Sequence, residues 1–330
     1  MAHQRKRILS GNRPTGPLHL GHYVGVLKNW YELQNEYECF FMVADWHALT
    51  SDYADPSHLE EYSRHLVLDW LSVGLDPEKC VMFVQSKVKQ HAELSLLLSF
   101  ITPLPWLLRC PTYKDQIKEL SKKDLETHGF LGYPVLMAAD IMAYKADVIP
   151  VGEDQLPHLE LTRELVRRFN NFYGEVFPEP QQILSRVPKM LGVDGRKMSK
   201  SYDNGIYLTD SRPKTADKIK QMVTDPARIR RTDPGHPDVC SVYDYHKLFN
   251  ANEVPAITVD CKAGTLGCVD CKKNLGNKVN ELLDPFRERR AQFEREPKRI
   301  QEIIASGNLR AQTEAEATLR EVRDVMHLPE

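Results

Sequence analysis

Four sets of residues have the types and spacing that chemistry requires. Pro14-Thr15-Gly16-Pro17-Leu18-His19-Leu20-Gly21-His22 follows a short apolar run and opens a stretch of helical period. A helix start presents free N–H groups and the positive end of the helix dipole, and both attract phosphate. His19 and His22, three apart, share one helical face and could donate to phosphate oxygens whose charge grows in a transition state. Gly21 leaves room for a purine or ribose against the backbone. Far along the chain, Gly195-Arg196-Lys197-Met198-Ser199-Lys200-Ser201 sets two lysines three apart. Residues 186–202 carry five Lys/Arg against one Asp, which suits a polyphosphate leaving group neutralised as it departs. Between these segments, Asp140 is a lone carboxylate among apolar neighbours such as Met137 and Ile141. A buried Asp needs a donor, and a substrate N–H is one candidate; a cap or bridge within the core is the other. Finally, Cys240, Cys261, Cys268 and Cys271 are separated by 20, 6 and 2 residues. Four thiolates suit an iron–sulfur cluster or a tetrahedral zinc ion.

The elements that must hold these residues can be read from periodicity. Short apolar runs at 7–10, 39–44, 80–84 and 148–151 end in Gly or polar residues and read as buried parallel strands. Helical stretches at 20–34, 57–75 (capped by Ser57), 132–141 and 153–171 alternate with them. The expected fold is α/β: a Rossmann-like doubly wound parallel sheet with a C-terminal, mainly helical domain. The Leu275, Val279, Leu282, Leu283, Phe286 and Phe293 stripe marks one late helix, and Leu309, Leu319, Val322 and Met326 mark the last. The expected division is a catalytic domain at 1–205 and a helical domain at 206–330 carrying the four cysteines.

Composition excludes several classes. The 330 residues are 42% hydrophobic and 27% charged, enough to fill a sizeable core. No apolar run approaches the length that spans a bilayer, and no signal peptide is evident, so a cytoplasmic protein without a membrane partner is expected. The net charge of -2 hides local fields. Residues 212–231 carry seven Lys/Arg against two acids, whereas 286–330 balance nine against nine. The first segment could follow a phosphate backbone, although an exposed helix would look similar over 212–223.

The histidine turn and Lys197-Met198-Ser199-Lys200-Ser201, in this order on a strand–helix–strand pattern, resemble the two signature motifs of class I aminoacyl-tRNA synthetases. That resemblance implies a two-step reaction: an amino acid is activated with ATP and Mg2+ to an adenylate plus pyrophosphate, then transferred to tRNA. His19, His22, Lys197 and Lys200 would be catalytic. Tyr133–Asp140, followed by Val151-Gly152-Glu153-Asp154-Gln155, is similar to the substrate core of tryptophanyl-tRNA synthetases. The family then implies L-tryptophan and tRNA(Trp) as partners, with Asp140 on the indole N–H and Tyr133 and Gln155 on the ammonium, beside Met137. It implies ATP contacts at Arg13, Pro14, Thr15, Gly21, His22, Gly152, Glu153 and Asp154, and along 197–201 (Lys197, Met198, Ser199, Lys200, Ser201). Lys114 resembles a phosphate-contacting lysine and Val187 an adenine contact. Many bacterial members carry Thr and Asn where His19 and His22 stand, and Gln where Arg13 stands. The ending Cys-x6-Cys-x2-Cys resembles a subset with a [4Fe–4S] cluster in the anticodon-binding domain, zinc being the alternative. A homodimer is also implied. Tyrosyl-tRNA synthetases share the fold and are the nearest alternative, followed by small-molecule nucleotidyltransferases with the same histidine turn.

Overall fold

A computed structural model describes residues 5–111, 113–114, 117, 125–184 and 190–329, and only the backbone of Asp154 and Ser201. Strands β1 (Arg7–Asn12), β2 (Glu38–Val43), β3 (Cys80–Val84), β4 (Val148–Val151) and β5 (Gln181–Leu184) form one parallel sheet in the order β3-β2-β1-β4-β5. The first four match the apolar runs to within two residues. β5 has no apolar run because it lies at an edge with most side chains exposed. From β1 the chain winds outward to β2 and β3, then returns to the other side of β1 for β4 and β5. The order therefore reverses between β1 and β4, and a crevice opens there at the carboxyl ends of the strands.

Helices cover both faces. α1 (Leu20–His22) continues through a π-helical turn (Tyr23–Leu27) into α2 (Lys28–Leu33), so the expected single helix carries a bulge, a feature often found beside functional sites. α3 (Asp45–Asp52), α4 (Leu59–Ser72), α5 (Gln90–Ile101), α6 (Leu104–Leu108), α7 (His128–Ala143) and α8 (Leu156–Tyr173) follow. α4 starts two residues later than its expected cap. Ser57 instead turns its hydroxyl to Asp55 at 2.6 Å, and His58 takes the cap position. Strand alternation sends Phe41 to one face, stacked on Trp30 at 4.2 Å, and Phe40 to the other, stacked on Tyr144 at 4.7 Å.

Beyond the sheet come α9 (Arg212–Gln221), α10 (Ser241–Phe249), α11 (Val254–Lys262), α12 (Cys268–Arg295) and α13 (Pro297–Val325). The expected stripe of α12 is met: Leu275, Val279, Leu283 and Phe286 are buried, and Leu282 and Phe293 pack against them. The expected stripe of α13 is met at Leu319 and Val322, which are buried, and at Met326, which packs against the core, but not at Leu309, which is 66% exposed. The buried face continues through Ala315, Ala311, Gly307, Ile303 and Ile300. Small residues carry little hydropathy, yet they let α13 lie directly on the edge strand β3. A Cβ on Gly307 would come within 1.8 Å of the Met82 carbonyl oxygen. Asn308 accepts the free edge N–H of Val84 at 2.9 Å, so α13 closes the edge that would otherwise be open to pairing. Among the described residues no helix is long and apolar enough to cross a membrane.

Candidate adenylation site

A cavity of about 410 Å³ occupies the crevice between the carboxyl ends of β1 and β4. One end is built on α7. Asp140 is 1% exposed there and faces the cavity amid an apolar wall that includes Met137 and Ile141. Its carboxylate is fully engaged. His47 Nε2 donates to Oδ2 at 2.8 Å, and His91 Nδ1 donates to Oδ1 at 2.6 Å. The Gln85 amide donates to Oδ1 at 2.8 Å and to Oδ2 at 3.0 Å. Burial alone would raise the carboxyl's pKa; the opposing effects, led by the hydrogen bonds from His47 and His91, outweigh burial and hold it below the usual range. Of the three donors only His47 also lines the cavity. Next to this group, the Tyr133 hydroxyl lies 2.6 Å from His158 Nε2, and His158 Nδ1 lies 3.0 Å from Gln155 Oε1. Tyr133, Gln155 and Gly152 share the cavity wall.

The other end lies on the turn from β1 into α1. Arg13, Thr15, His22 and Lys200 face the cavity. Lys200 Nζ donates to the Gly16 carbonyl at 2.7 Å and reaches Thr15 Oγ1 at 3.4 Å. Burial lowers its pKa to about 8, helped by Arg13 and opposed by Asp69. Asp69 is itself pushed up to about 6 by burial, although Arg290 pairs with it and Leu18 N–H donates to it at 3.2 Å. His19 packs behind His22 with ring centroids 3.8 Å apart. Burial and Lys200 lower His19 to about 4; burial, His19 and Lys200 push His22 well down. Both imidazoles are therefore neutral near pH 7, and any stabilisation they give comes from N–H donation rather than charge. The His19 backbone N–H donates to His22 Nδ1 at 3.3 Å, which leaves the His22 ring proton on Nε2.

Several expected residues stand off the cavity wall. A Cβ on Gly21 would meet the His19 ring at 3.0 Å, so the glycine gives that ring room. Pro14 and Met198 are buried beside the turn, and Ser199 N–H donates to Asn204 Oδ1 at 2.9 Å. Lys197, Lys114 and Glu153 are exposed. Asp154 lies in the short turn before α8, and Ser201 in the turn after Lys200. Val187 lies outside the described residues. Conversely, sequence reading missed His47, Gln85, His91 and His158. For the first three the available signal was the requirement that a buried Asp be met by donors, and each comes from a different element than Asp140; His158 serves Tyr133 and Gln155 instead.

The four late cysteines are free thiols, and Cys240, Cys261 and Cys268 lie near enough to Cys271 to act on it electrostatically. Burial and the other three thiols push Cys271 up to about 12, and burial likewise raises Cys261. Arg228 Nη1 approaches Cys261 Sγ at 3.8 Å, and His246 Nε2 lies 3.4 Å from Cys271 Sγ. Among the described residues, however, no three His, Cys, Asp or Glu side chains are close enough to hold a single metal ion.

The profile of the tRNA synthetases class I (W and Y) matches residues 1–284. A tryptophan–tRNA ligase of Thermotoga maritima is 54% identical, with 98% of this chain and 99% of that one covered. One from Aquifex aeolicus is 44% identical, covering 98% and 100%. The crystal structure of a Campylobacter jejuni tryptophanyl-tRNA synthetase complexed with ADP and tryptophan superposes with a TM-score of 0.88 at 33% identity, over 98% of this chain and 100% of that one. On its fold, its site and these relatives, the chain belongs to the class I tRNA synthetases, within the tryptophan–tRNA ligases.

Proposed function

We propose that the cavity is where tryptophan and ATP meet, with the indole against α7 and the triphosphate along the turn into α1. In the first step a tryptophan carboxylate oxygen attacks the α-phosphorus, and the bond to pyrophosphate breaks. In the second, a hydroxyl of the terminal tRNA ribose attacks the activated carbonyl and AMP departs. No side chain becomes covalently attached, so the protein positions the reactants and stabilises charge. Arg13, Thr15, His22 Nε2–H and Lys200 would hold the phosphates, and Lys197 would join them from the lysine loop. Among the described residues lining the cavity Asp140 is the one carboxylate, and it is already engaged. Magnesium would come with ATP and offset the charge of its phosphates.

The observation that carries this reading is Asp140. A fully buried, ionised carboxylate facing a cavity of this size accepts an N–H and rejects ligands without one. The indole N–H would take the position on Oδ2 that His47 now fills. Tyr133 and Gln155, linked through His158, would hold the ammonium. Tryptophan-dependent exchange of pyrophosphate into ATP, followed by charging of tRNA(Trp), tests the reading. We expect exchange with tryptophan; robust exchange with tyrosine instead would overturn it.

The remaining roles follow from the surface. Residues 206–330 would bind the anticodon region, and Arg228, Arg230 and Arg231 support this by presenting a basic edge beside the cysteines. The neighbouring thiols suit a [4Fe–4S] cluster, whose four cysteines each bind a different iron and stand farther apart than around one zinc ion. A Cβ on Gly235 would lie 2.5 Å from Cys261 Sγ, so the nest tolerates no larger residue there. Such a cluster would tie Cys240, Cys261, Cys268 and Cys271 together as a structural staple. Iron and sulfide analysis of anaerobically purified protein tests that assignment; zinc in place of iron would overturn it. Exposed Leu96, Phe100, Leu104 and Leu108 on α5 and α6 form an apolar face that supports a homodimer, in a cytoplasmic enzyme.

A further inference from the structure

The Asp140 carboxylate is held from behind as well as from the cavity. Asp140 and Tyr144 are four residues apart and therefore stand one turn apart on the same side of α7 and its C-cap. α5 crosses that side and inserts the His91 ring between them, with the ring wholly buried. The two ring nitrogens reach both neighbours: Nδ1 lies 2.6 Å from Asp140 Oδ1, and Nε2 lies 2.7 Å from the Tyr144 hydroxyl. Tyr144 is itself wholly buried and fixed by aromatic contacts, stacked on Phe40 at 4.7 Å and edge-on to Phe83 at 5.4 Å. Burial and the nearby charge of Asp140 keep it a phenol, so its O–H donates to Nε2. The imidazole must then carry its proton on Nδ1, where it donates to the carboxylate. Neither His91 nor Tyr144 touches the cavity.

We infer that His91, set by Tyr144, is a positioning residue for tryptophan selectivity: it fixes the plane of the Asp140 carboxylate so that one oxygen faces the cavity as an acceptor. The inference rests on the reading that Asp140 accepts the indole N–H. Without His91, Oδ1 would lose its shortest donor and keep only the Gln85 amide at 2.8 Å. The carboxylate would then rotate toward Gln85 or take up a proton to lower its charge. Either response weakens acceptance of an N–H from the cavity. A role limited to packing would harm every substrate equally. A positioning role harms only those substrates that offer the N–H.

The test compares kcat/KM in pyrophosphate exchange for tryptophan and for 3-benzothienyl-L-alanine, in which sulfur replaces the N–H at nearly the same size. In H91L we expect the ratio of the two to fall by about tenfold or more. In H91N, whose amide can still donate at the Nδ1 position, it should stay within about threefold of the parent. Y144F keeps the ring and its stacking while removing the donor to Nε2, and should lower the ratio by about threefold to tenfold. If H91L does not fold, Y144F and H91N carry the comparison. D140N separates the two levels of the argument. If D140N collapses the ratio while H91L and Y144F keep it, the assignment of His91 is overturned and the reading of Asp140 stands. If D140N itself leaves the ratio unchanged, the reading of Asp140 is overturned and the role of His91 falls with it.

Discussion

The two ends of the cavity differ in how complete they are. At the α7 end, Asp140 receives hydrogen bonds from His47, Gln85 and His91, and Tyr133 is linked through His158 to Gln155. The Asp140 carboxylate, the Tyr133 hydroxyl and the His158 ring are thus each held before any ligand arrives, and among the described residues there only Gln85 Oε1 is a buried side-chain atom without a partner. At the β1–α1 end, Lys200 is spent on a backbone carbonyl, both imidazoles are neutral, and Lys197 points to solvent. The contrast separates two tasks. Selection of a side chain works best in a rigid, preorganised pocket, because an ill-fitting ligand then leaves buried groups unpaired. Stabilisation of a triphosphate in motion needs donors that engage only as charge moves. The first end is finished without ligand; the second awaits the negative charge that ATP would bring.

The sharpest way to break this division is to exchange the parameters that each end controls. We expect D140A to lower kcat/KM for tryptophan by about 10³-fold or more while KM for ATP stays within about threefold. Steady-state pyrophosphate exchange with each substrate varied in turn measures both. A comparable rise in KM for ATP would show that the two ends are not separate. K200A should do the reverse, lowering kcat for activation by about 10²- to 10³-fold and leaving the equilibrium affinity for tryptophan unchanged. Calorimetric titration with tryptophan alone checks the second half. A lost affinity would place Lys200 at the amino-acid end.

A subtler handle is pH. The Lys200 ammonium is held at about 8 by burial, so in the free enzyme it sheds its proton as the pH rises through that value. If the cation is the working form, kcat/KM for ATP should fall about tenfold per pH unit above about 8. Bound phosphates raise the pKa of a nearby ammonium, so the falling limb of kcat should lie at higher pH than that of kcat/KM. Coincident limbs would mean that ATP does not approach Lys200. The stability effect has its own sign. Between about 8 and the ordinary lysine value of 10.5 the unfolded chain holds a proton that the folded chain has lost, so this group makes stability rise with pH across the window.

The same contrast governs what the sequence could reveal. Four strands and the two motif segments were legible because buried parallel strands are continuous apolar runs and phosphate sites lie in contiguous turns. β5 was not, since an exposed edge strand made of Gln181-Gln182-Ile183-Leu184 has no apolar signature. Of the buried face of α13 only Leu319 and Val322 were legible, because Gly307, Ala311 and Ala315 permit close approach instead of adding hydrophobic bulk. At the site, Asp140 was readable as a carboxylate in need of a donor. Its donors His47, Gln85 and His91 come from α3, the β3 end and α5, and their convergence exists only in three dimensions. The phosphate end was the more visible in sequence, yet it is the less assembled in the fold.

The smallest expected effect concerns the ammonium of the amino acid. The Tyr133 hydroxyl and His158 Nε2 share one hydrogen bond at 2.6 Å, and His158 passes the constraint on to Gln155. Y133F removes the hydroxyl but keeps the ring, its tilted contact with Phe130 at 5.5 Å and its edge-on contact with His158 at 5.1 Å. One neutral hydrogen bond is worth about 1 kcal/mol, so KM for tryptophan should rise about fivefold with kcat little changed. Inhibition by indole-3-propionate, which keeps the indole and the carboxylate but lacks the amine, separates the possible causes. If Tyr133 acts through the ammonium, its inhibition constant should be the same in Y133F and the parent. If both ligands weaken together, the hydroxyl supports the shape of the whole pocket, and the finished end of the cavity is a single unit rather than two neighbouring sub-sites.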